Sequence, residues 1–297
     1  MGEPGSLSKI GFVGAGTMGH GMCSCLLKAG YDLTVVANRN RAPIDDLVSR
    51  GAVEASSLDE LAGSSDALVL CVSNSNVVEQ VVDETLPALK AGSLVIDTGT
   101  SEPASTRALA ARLASAGIEF AEAPVTGGKV QAAAGELGAL VGAEAAVFER
   151  ARPLLEAFCR QIQHFGAPGA GNTAKLINNY MVMGIIALVT EAFTKADEAD
   201  VDWSKLYDVV TCGSADSGVL RRIVGNARDG DFGGYVFDVQ GALKDMSYFR
   251  GVAEELGGMT PLATAVHRVF EQAVADGHGE RLVSELLSPD VRGAGTE

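Results

Sequence analysis

Residues 9–36 constrain the fold more than any other stretch of this chain. KIGFV (9–13) is a short apolar run of strand type, and it ends in Gly14-Ala15-Gly16-Thr17-Met18-Gly19. A helical pattern follows and stops at Gly30, and DLTVVA (32–37) reads as a second buried strand. Strand, Gly-x-Gly-x-x-Gly, helix and strand within about thirty residues is the dinucleotide-binding arrangement. The first glycine makes the turn, the second lets backbone meet a pyrophosphate, and the third lets helix pack on strand. The phosphates then sit on the helix N-terminus. The glycine motif alone is weak evidence; its placement between a strand and a helix makes it specific.

The end of the second strand bears on which dinucleotide is held. An acid there holds the ribose hydroxyls of NAD and repels a 2′-phosphate, whereas a guanidinium pairs with that phosphate. This chain has Asn38-Arg39-Asn40-Arg41, with no acid between Thr34 and Asn40. The pattern favours NADP(H), with NAD(H) still possible; solvated loop arginines would look the same.

Further along, SDALVLCV (65–72), GSLVIDTGT (92–100) and GIEFAEAPV (117–125) are buried strands, with GALVGA (138–143) and QIQHF (161–165) as closing strands. Pro103 opens a helix after the second of these. Strands alternating with helices predict an α/β fold, an N-terminal Rossmann-type doubly wound, mostly parallel sheet. Its ligand crevice lies outside the strand C-terminal ends. Thr126-Gly127-Gly128 closes one of these strands and is either a plain turn or an anion-binding pair of amides beside a hydroxyl.

Beyond 165 the strand pattern stops. GAGNTAKLINNYMVMGIIALVTEAF (169–193) opens with glycines and a capping-type Asn172, then runs as one long interdomain helix over 169–200. Helices at 203–212, 217–228, 238–256, 261–276 and 279–287 complete an all-α C-terminal domain. The expected division is a flexible tail at 1–8, a dinucleotide-binding domain at 9–167 and a helical substrate and oligomerisation domain at 168–297. Lys175 and Asn179 are four apart and share a helix face. A lysine in such a helix snorkels to water, finds a partner or gives up its proton.

With 23 Lys and Arg against 38 Asp and Glu, the net charge of −15 disfavours nucleic acid and anionic membrane as partners. The apolar run 181–189 is short for a membrane span. Five cysteines, with no Cys-x-x-Cys pair, suit reduced thiols and a cytoplasmic setting. The first eight residues have neither signal-peptide nor transit-peptide layout. His20, His164, His267 and His278 are scattered, and no metal site is expected.

IGFVGAGTMG, EAPVTGG, GAGNTAKLINN and ALKDM (242–246) occur in the order seen in the β-hydroxyacid dehydrogenases, which the chain resembles from about residue 9 to 287. The resemblance implies that Gly14, Ala15, Gly16, Thr17, Met18 and Gly19 hold the dinucleotide. It implies that Asn38 and Arg39 match NADP-preferring members, that Val72 and Ser73 lie along the ribose, and that Thr100 lies near the nicotinamide. Thr126, Gly127 and Gly128 would bind a substrate carboxylate, Lys175 would be the catalytic acid/base and Asn179 would orient the substrate. Lys244 would close on the cofactor, with Asp245 beside it. A homodimer or homotetramer is implied as well.

Three positions depart from the family pattern. Thr126 stands where serine is usual, Gly99 replaces a serine before Thr100, and Gly279-Glu280-Arg281 lacks a following aspartate. They bear on the substrate rather than on the reaction type. A related imine reductase replaces the lysine, a non-catalytic scaffold of this fold loses it, and 6-phosphogluconate dehydrogenase has a much longer helical domain. Lys175 and the length of 297 residues stand against these three readings.

Overall fold

The computed structural model describes residues 7–38 and 40–292, and the chain divides into two compact units that meet in sequence at Lys175/Leu176. The tail expected at 1–8 lies mostly outside the described residues.

The first unit runs β1 (Lys9–Val13), α1 (Gly19–Lys28), β2 (Asp32–Val36), α2 (Ala42–Ser49), β3 (Val53–Ala55), α3 (Leu58–Ser64), β4 (Ala67–Leu70) and α4 (Ser75–Thr85). It continues with β5 (Leu94–Asp97), α5 (Pro103–Ser115), β6 (Glu119–Glu122), β7 (Val125–Thr126), α6 (Lys129–Ala134), β8 (Leu137–Gly142), α7 (Ala145–Glu156) and β9 (Cys159–Gly166). The sheet order is β3-β2-β1-β4-β5-β6-β8-β7, with β9 paired to β8. Strands β1 to β6 pair in parallel, and β8 runs antiparallel to both β6 and β7. The doubly wound, mostly parallel sheet expected from the sequence is therefore present.

The apolar runs are explained by burial on both faces. Ile10, Phe12, Val35, Val69 and Ile96 pack beneath α1 on one side, while Val13, Leu68, Leu70 and Val95 pack against α3 and α4 on the other. Strand order reverses between β1 and β4, so a crevice opens beyond their C-terminal ends. The segment 42–64, which carries β3 and two helices, was not anticipated; β3 is three residues long and only Ala55 in it is buried.

The second unit is helical: α8 (Ala170–Glu198, which begins in the first unit), α9 (Trp203–Thr211), α10 (Gly218–Ala227), α11 (Val239–Leu256) and α12 (Pro261–Ala275). Asp202, Ser217 and Asp238 each accept a main-chain N–H and so cap α9, α10 and α11. The helix expected at 279–287 is instead a 3₁₀ turn over Val283–Leu287. Met183, Ile186, Val189 and Phe193 of α8 enter a core with Ile223, Met246 and Phe270. By length and composition α8 could cross a membrane, which the short run 181–189 did not suggest, yet one of its faces serves this core.

Candidate active site

The loop after β1 shows why three glycines are spaced as they are. Gly14 has φ +96°, and a Cβ there would stand 2.2 Å from the Cys71 carbonyl oxygen. A Cβ at Gly19 would stand 2.1 Å from the Gly14 carbonyl oxygen. Gly16 differs: nothing lies within 4 Å of where its Cβ would be, so its backbone faces open space. Ala15 is buried beneath the loop, whereas Thr17 is exposed. Met18, at the N-cap of α1, makes no side-chain cap, and α1 has no acid in its first turn. These residues fit a pyrophosphate on the helix N-terminus.

At the end of β2, Asn38 is exposed, and Arg39 lies outside the described residues. Arg41 is already engaged: its two terminal nitrogens each donate at 2.9 Å to one oxygen of Glu54, and Nη2 also donates to Asp45 at 3.0 Å. Glu54 enters from β3, the strand that sequence reasoning missed.

The ends of β4 and β5 complete this side. Val72 is half-buried beside Gly14, and Ser73 is exposed just before the Asn74 cap of α4. A Cβ at Gly99 would stand 3.0 Å from the Val72 carbonyl oxygen, so a serine there would be tight. Thr100 is half-buried. Burial pushes the Cys71 thiol up to about 11, so it packs as a neutral thiol. Around Thr100 the chain is tied by buried polar groups. Asp97 accepts from the Gly99 amide at 2.8 Å and from the Ser101 hydroxyl at 2.8 Å. Asn172 accepts from the Ser101 amide at 2.9 Å and donates to the Thr106 hydroxyl at 3.1 Å. Asn172 was expected to cap its own helix; it sits inside the first turn and bonds outward instead.

Thr126 ends β7 opposite Gly138 of β8. Gly127 has φ +111° and is exposed. The Gly128 amide, expected to face a carboxylate, donates to Gln131 Oε1 at 3.0 Å. Thr126 is half-buried and its hydroxyl donates to the Gly138 carbonyl at 3.5 Å, so Gly127 is the exposed member of the three, while the Gly128 amide is covered by a side chain of the first turn of α6.

Lys175 is buried, 9% exposed, in the second turn of α8. Beneath that helix start lies Glu122, fully buried at the end of β6. Its Oε1 accepts from the Gly169 amide at 2.6 Å and the Gly171 amide at 3.0 Å, and its Oε2 is buried without a hydrogen bond. Burial pushes this carboxyl up to about 8, against the opposing pull of the main-chain N–H groups. Glu122 was missed by sequence reasoning. The signal available was a second acid, Glu122, directly after the apolar pair Phe120-Ala121 at the inner end of the strand.

Within the helical unit, Asn179 is buried and donates to Asp245 Oδ2 at 2.6 Å, while its Oδ1 accepts from Asn178 at 3.2 Å. Lys244 Nζ stands 3.2 Å from Asp245 Oδ1 and 5.3 Å from the centre of the Tyr248 ring. The structure thus joins Asn179, Asp245 and Lys244 in one polar group. Among the described residues, no three His, Cys, Asp or Glu side chains converge as a metal site would need.

Comparison with known proteins adds to this geometry. Residues 9–166 match the NAD binding domain of 6-phosphogluconate dehydrogenase, and residues 169–289 match the NAD-binding domain of NADP-dependent 3-hydroxyisobutyrate dehydrogenase. The chain is 31% identical to 2-(hydroxymethyl)glutarate dehydrogenase of Eubacterium barkeri, over 94% of this chain and 93% of that one. It is 30% identical to the NAD-dependent L-serine dehydrogenase of Pseudomonas aeruginosa, over 95% and 99% respectively. Among solved structures, Mycobacterium tuberculosis 3-hydroxyisobutyrate dehydrogenase with L-serine is similar at a TM-score of 0.85 and 26% identity, over 95% of this chain and 98% of that one.

Proposed function

This chain belongs to the β-hydroxyacid dehydrogenase family, and from that premise we propose that it interconverts a small β-hydroxyacid and its semialdehyde, with NADP(H) preferred over NAD(H) and Lys175 as general acid/base. At the coarser level it is an NAD(P)-dependent oxidoreductase of small hydroxycarboxylates. The nicotinamide, when bound, accepts or supplies the hydride. On oxidation the substrate hydroxyl gives its proton to the neutral amine of Lys175 as hydride leaves the same carbon. On reduction the ammonium returns that proton to the carbonyl oxygen.

The observation that carries this reading is Lys175 itself, a buried lysine in the second turn of a helix whose start is held by side chains of the sheet unit. Thr126 Oγ1 and the Gly127 amide serve the substrate carboxylate, and Gly128 joins them when Gln131 swings away. Asn179, held by Asp245, orients the substrate, and Lys244 serves the cofactor. The NADP preference is supported by the absence of any carboxylate from Thr34 to Asn40; the engagement of Arg41 by Glu54 weighs against it. A homodimer or homotetramer is supported by an exposed apolar stripe on α8, Ile177, Met181 and Leu188. Sedimentation returning a monomer would remove that element.

The imine-reductase and scaffold alternatives are separated by one experiment. Wild type and Lys175→Ala are assayed with NADPH and NADH against small β-hydroxyacids and semialdehydes, with cofactor binding followed by fluorescence. The expected outcome is wild-type turnover that falls by about a thousandfold in the variant while NADPH still binds. Equal turnover in both proteins would sink the role of Lys175. Cofactor binding without turnover across the panel would favour the scaffold.

A further inference from the structure

The first turn of α8 is fixed by side chains that the proposed chemistry does not touch. Glu122 and Asp97 are register partners on the adjacent parallel strands β6 and β5. Each carboxyl holds a different piece of backbone. Asp97 holds the loop that carries Thr100, through Gly99 N–H and the Ser101 hydroxyl. Glu122 holds the start of α8, through Gly169 N–H and Gly171 N–H. Asn172 then joins the two, since its amide reaches Ser101 of the loop and Thr106 of α5.

The surroundings leave Glu122 no other place to go. A Cβ at Gly142 would stand 2.0 Å from Glu122 Oε1, and a Cβ at Gly171 would stand 2.4 Å from the Leu140 carbonyl oxygen. Glycine at both positions lets β8, the carboxyl and the helix start pack in direct contact. Gly171 and Lys175 are about one helical turn apart, so a shift or tilt at Gly171 is carried to Lys175. Proton transfer requires heavy atoms about 2.6–3.2 Å apart, and a misplacement of about 1 Å can cost a hundredfold.

We infer that Glu122 and Asn172 are positioning residues for Lys175, a double clamp that locks the lysine helix to the Thr100 loop. The clamp rests on the reading of Lys175 as the acid/base. Neither residue touches the reacting atoms; each acts through the helix start.

The test compares Glu122→Asp with Glu122→Gln in the full-length enzyme. Aspartate keeps the carboxyl group but withdraws the acceptor by one methylene, whereas glutamine keeps an acceptor oxygen at the same reach. Steady-state kinetics, NADPH binding and amide exchange over 168–175 are measured together. For Glu122→Asp the expected result is a kcat at least tenfold lower, with substrate KM and NADPH Kd within threefold of wild type and faster exchange at Gly169 and Gly171. Glu122→Gln should restore kcat to within threefold and slow that exchange again. Wild-type kcat in Glu122→Asp would overturn the clamp. So would a loss spread over KM, Kd and kcat that glutamine does not rescue, because that is general destabilisation. If Glu122→Asp does not fold, Asn172→Ala probes the other arm, with an expected fivefold loss in kcat at unchanged Kd; an unchanged kcat there would equally overturn it. Full turnover in Lys175→Ala would instead refute the acid/base reading, while the exchange data would still report whether the helix start is held.

Discussion

Two glycine-rich helix starts in this chain have the same tripeptide and opposite fates. Gly14-Ala15-Gly16 leads into α1, and Gly169-Ala170-Gly171 leads into α8. In the first, the middle of the loop faces open space and no side chain caps the helix, so main-chain N–H groups are left for a ligand. In the second, the N–H groups of Gly169 and Gly171 are consumed by the protein's own carboxyl, Glu122. A glycine-rich helix start presents main-chain donors to an acceptor oxygen in both cases. What differs is whether a distant strand supplies that acceptor or leaves it to be brought in.

The largest contrast is expected when one methyl group is added to each loop. Alanine at Gly171 would drive its Cβ to 2.4 Å from the Leu140 carbonyl oxygen and 2.6 Å from the Gly142 nitrogen, both backbone atoms. Exchanging a helical glycine for alanine ordinarily stabilises by about 1 kcal/mol. Here the sign should reverse, with a loss of roughly 3–5 kcal/mol and a sharply lowered Tm. Alanine at Gly16 meets nothing within 4 Å, so Tm should stay within a few degrees of wild type. The methyl would instead project into the open space proposed for the pyrophosphate, and NADPH Kd should rise at least about tenfold. Equal stability losses in the two variants, by differential scanning calorimetry, would erase the distinction.

The second start should also carry a pH signature that the first lacks. The Glu122 carboxyl lies near 8 in the folded protein, raised by burial from an ordinary value near 4.5. Its protonated form therefore favours the folded state. This contribution is full below about 4.5 and is lost as pH rises toward 8, because the unfolded chain releases the proton first. Glutamine cannot ionise, so the stability of Glu122→Gln relative to wild type should grow by roughly 3 kcal/mol between pH 5 and pH 8. Denaturation midpoints of the two proteins across that range provide the check. A constant difference would mean that Glu122 does not titrate there.

A smaller effect is expected where a receptor is half covered. The Gly128 amide is held by Gln131 Oε1 at 3.0 Å, and a substrate carboxylate would have to displace it. Gln131→Ala uncovers the amide, and KM for the carboxylate substrate should fall about two- to tenfold, the worth of one neutral hydrogen bond. A rise in KM would mean that Gln131 itself contacts the substrate.

How much of this was legible in the sequence follows the same division. The dinucleotide loop is local: Gly14, Gly16 and Gly19 read as a motif because strand, turn and helix are contiguous. The strands β1, β4 and β5 were legible because burial on both faces makes them largely apolar runs, and β6 carries that signal only in its inner residues, Phe120 and Ala121. Strand β3, with one buried residue in three, gave no such signal. The clamp beneath α8 was invisible for a different reason. Glu122 and Gly169 are 47 residues apart, and only the sheet order brings them together. Asn172 looked like a cap because capping is what asparagine does locally; its true partners at 101 and 106 belong to the fold.

The smallest expected effect lies at the far end of the first receptor, where a local reading and a long-range partner compete. From sequence, Arg41 was a candidate for a 2′-phosphate; in the structure Glu54 of β3 occupies its guanidinium in bidentate fashion, and Asp45 adds a third bond. Both Arg41 and Glu54 are held in their charged forms by this pairing: the guanidinium is pushed up, chiefly by its hydrogen bond to Glu54, and the Glu54 carboxyl down, chiefly by its hydrogen bond to Arg41. An exposed pair of this kind is screened by water and contributes little, so a phosphate can compete for the arginine. Glu54→Gln removes the competing charge and leaves the shape. The KM for NADPH should then fall about two- to threefold while the KM for NADH stays unchanged, and the gap should narrow as salt is raised. If both cofactors respond alike, Arg41 does not read the 2′-phosphate.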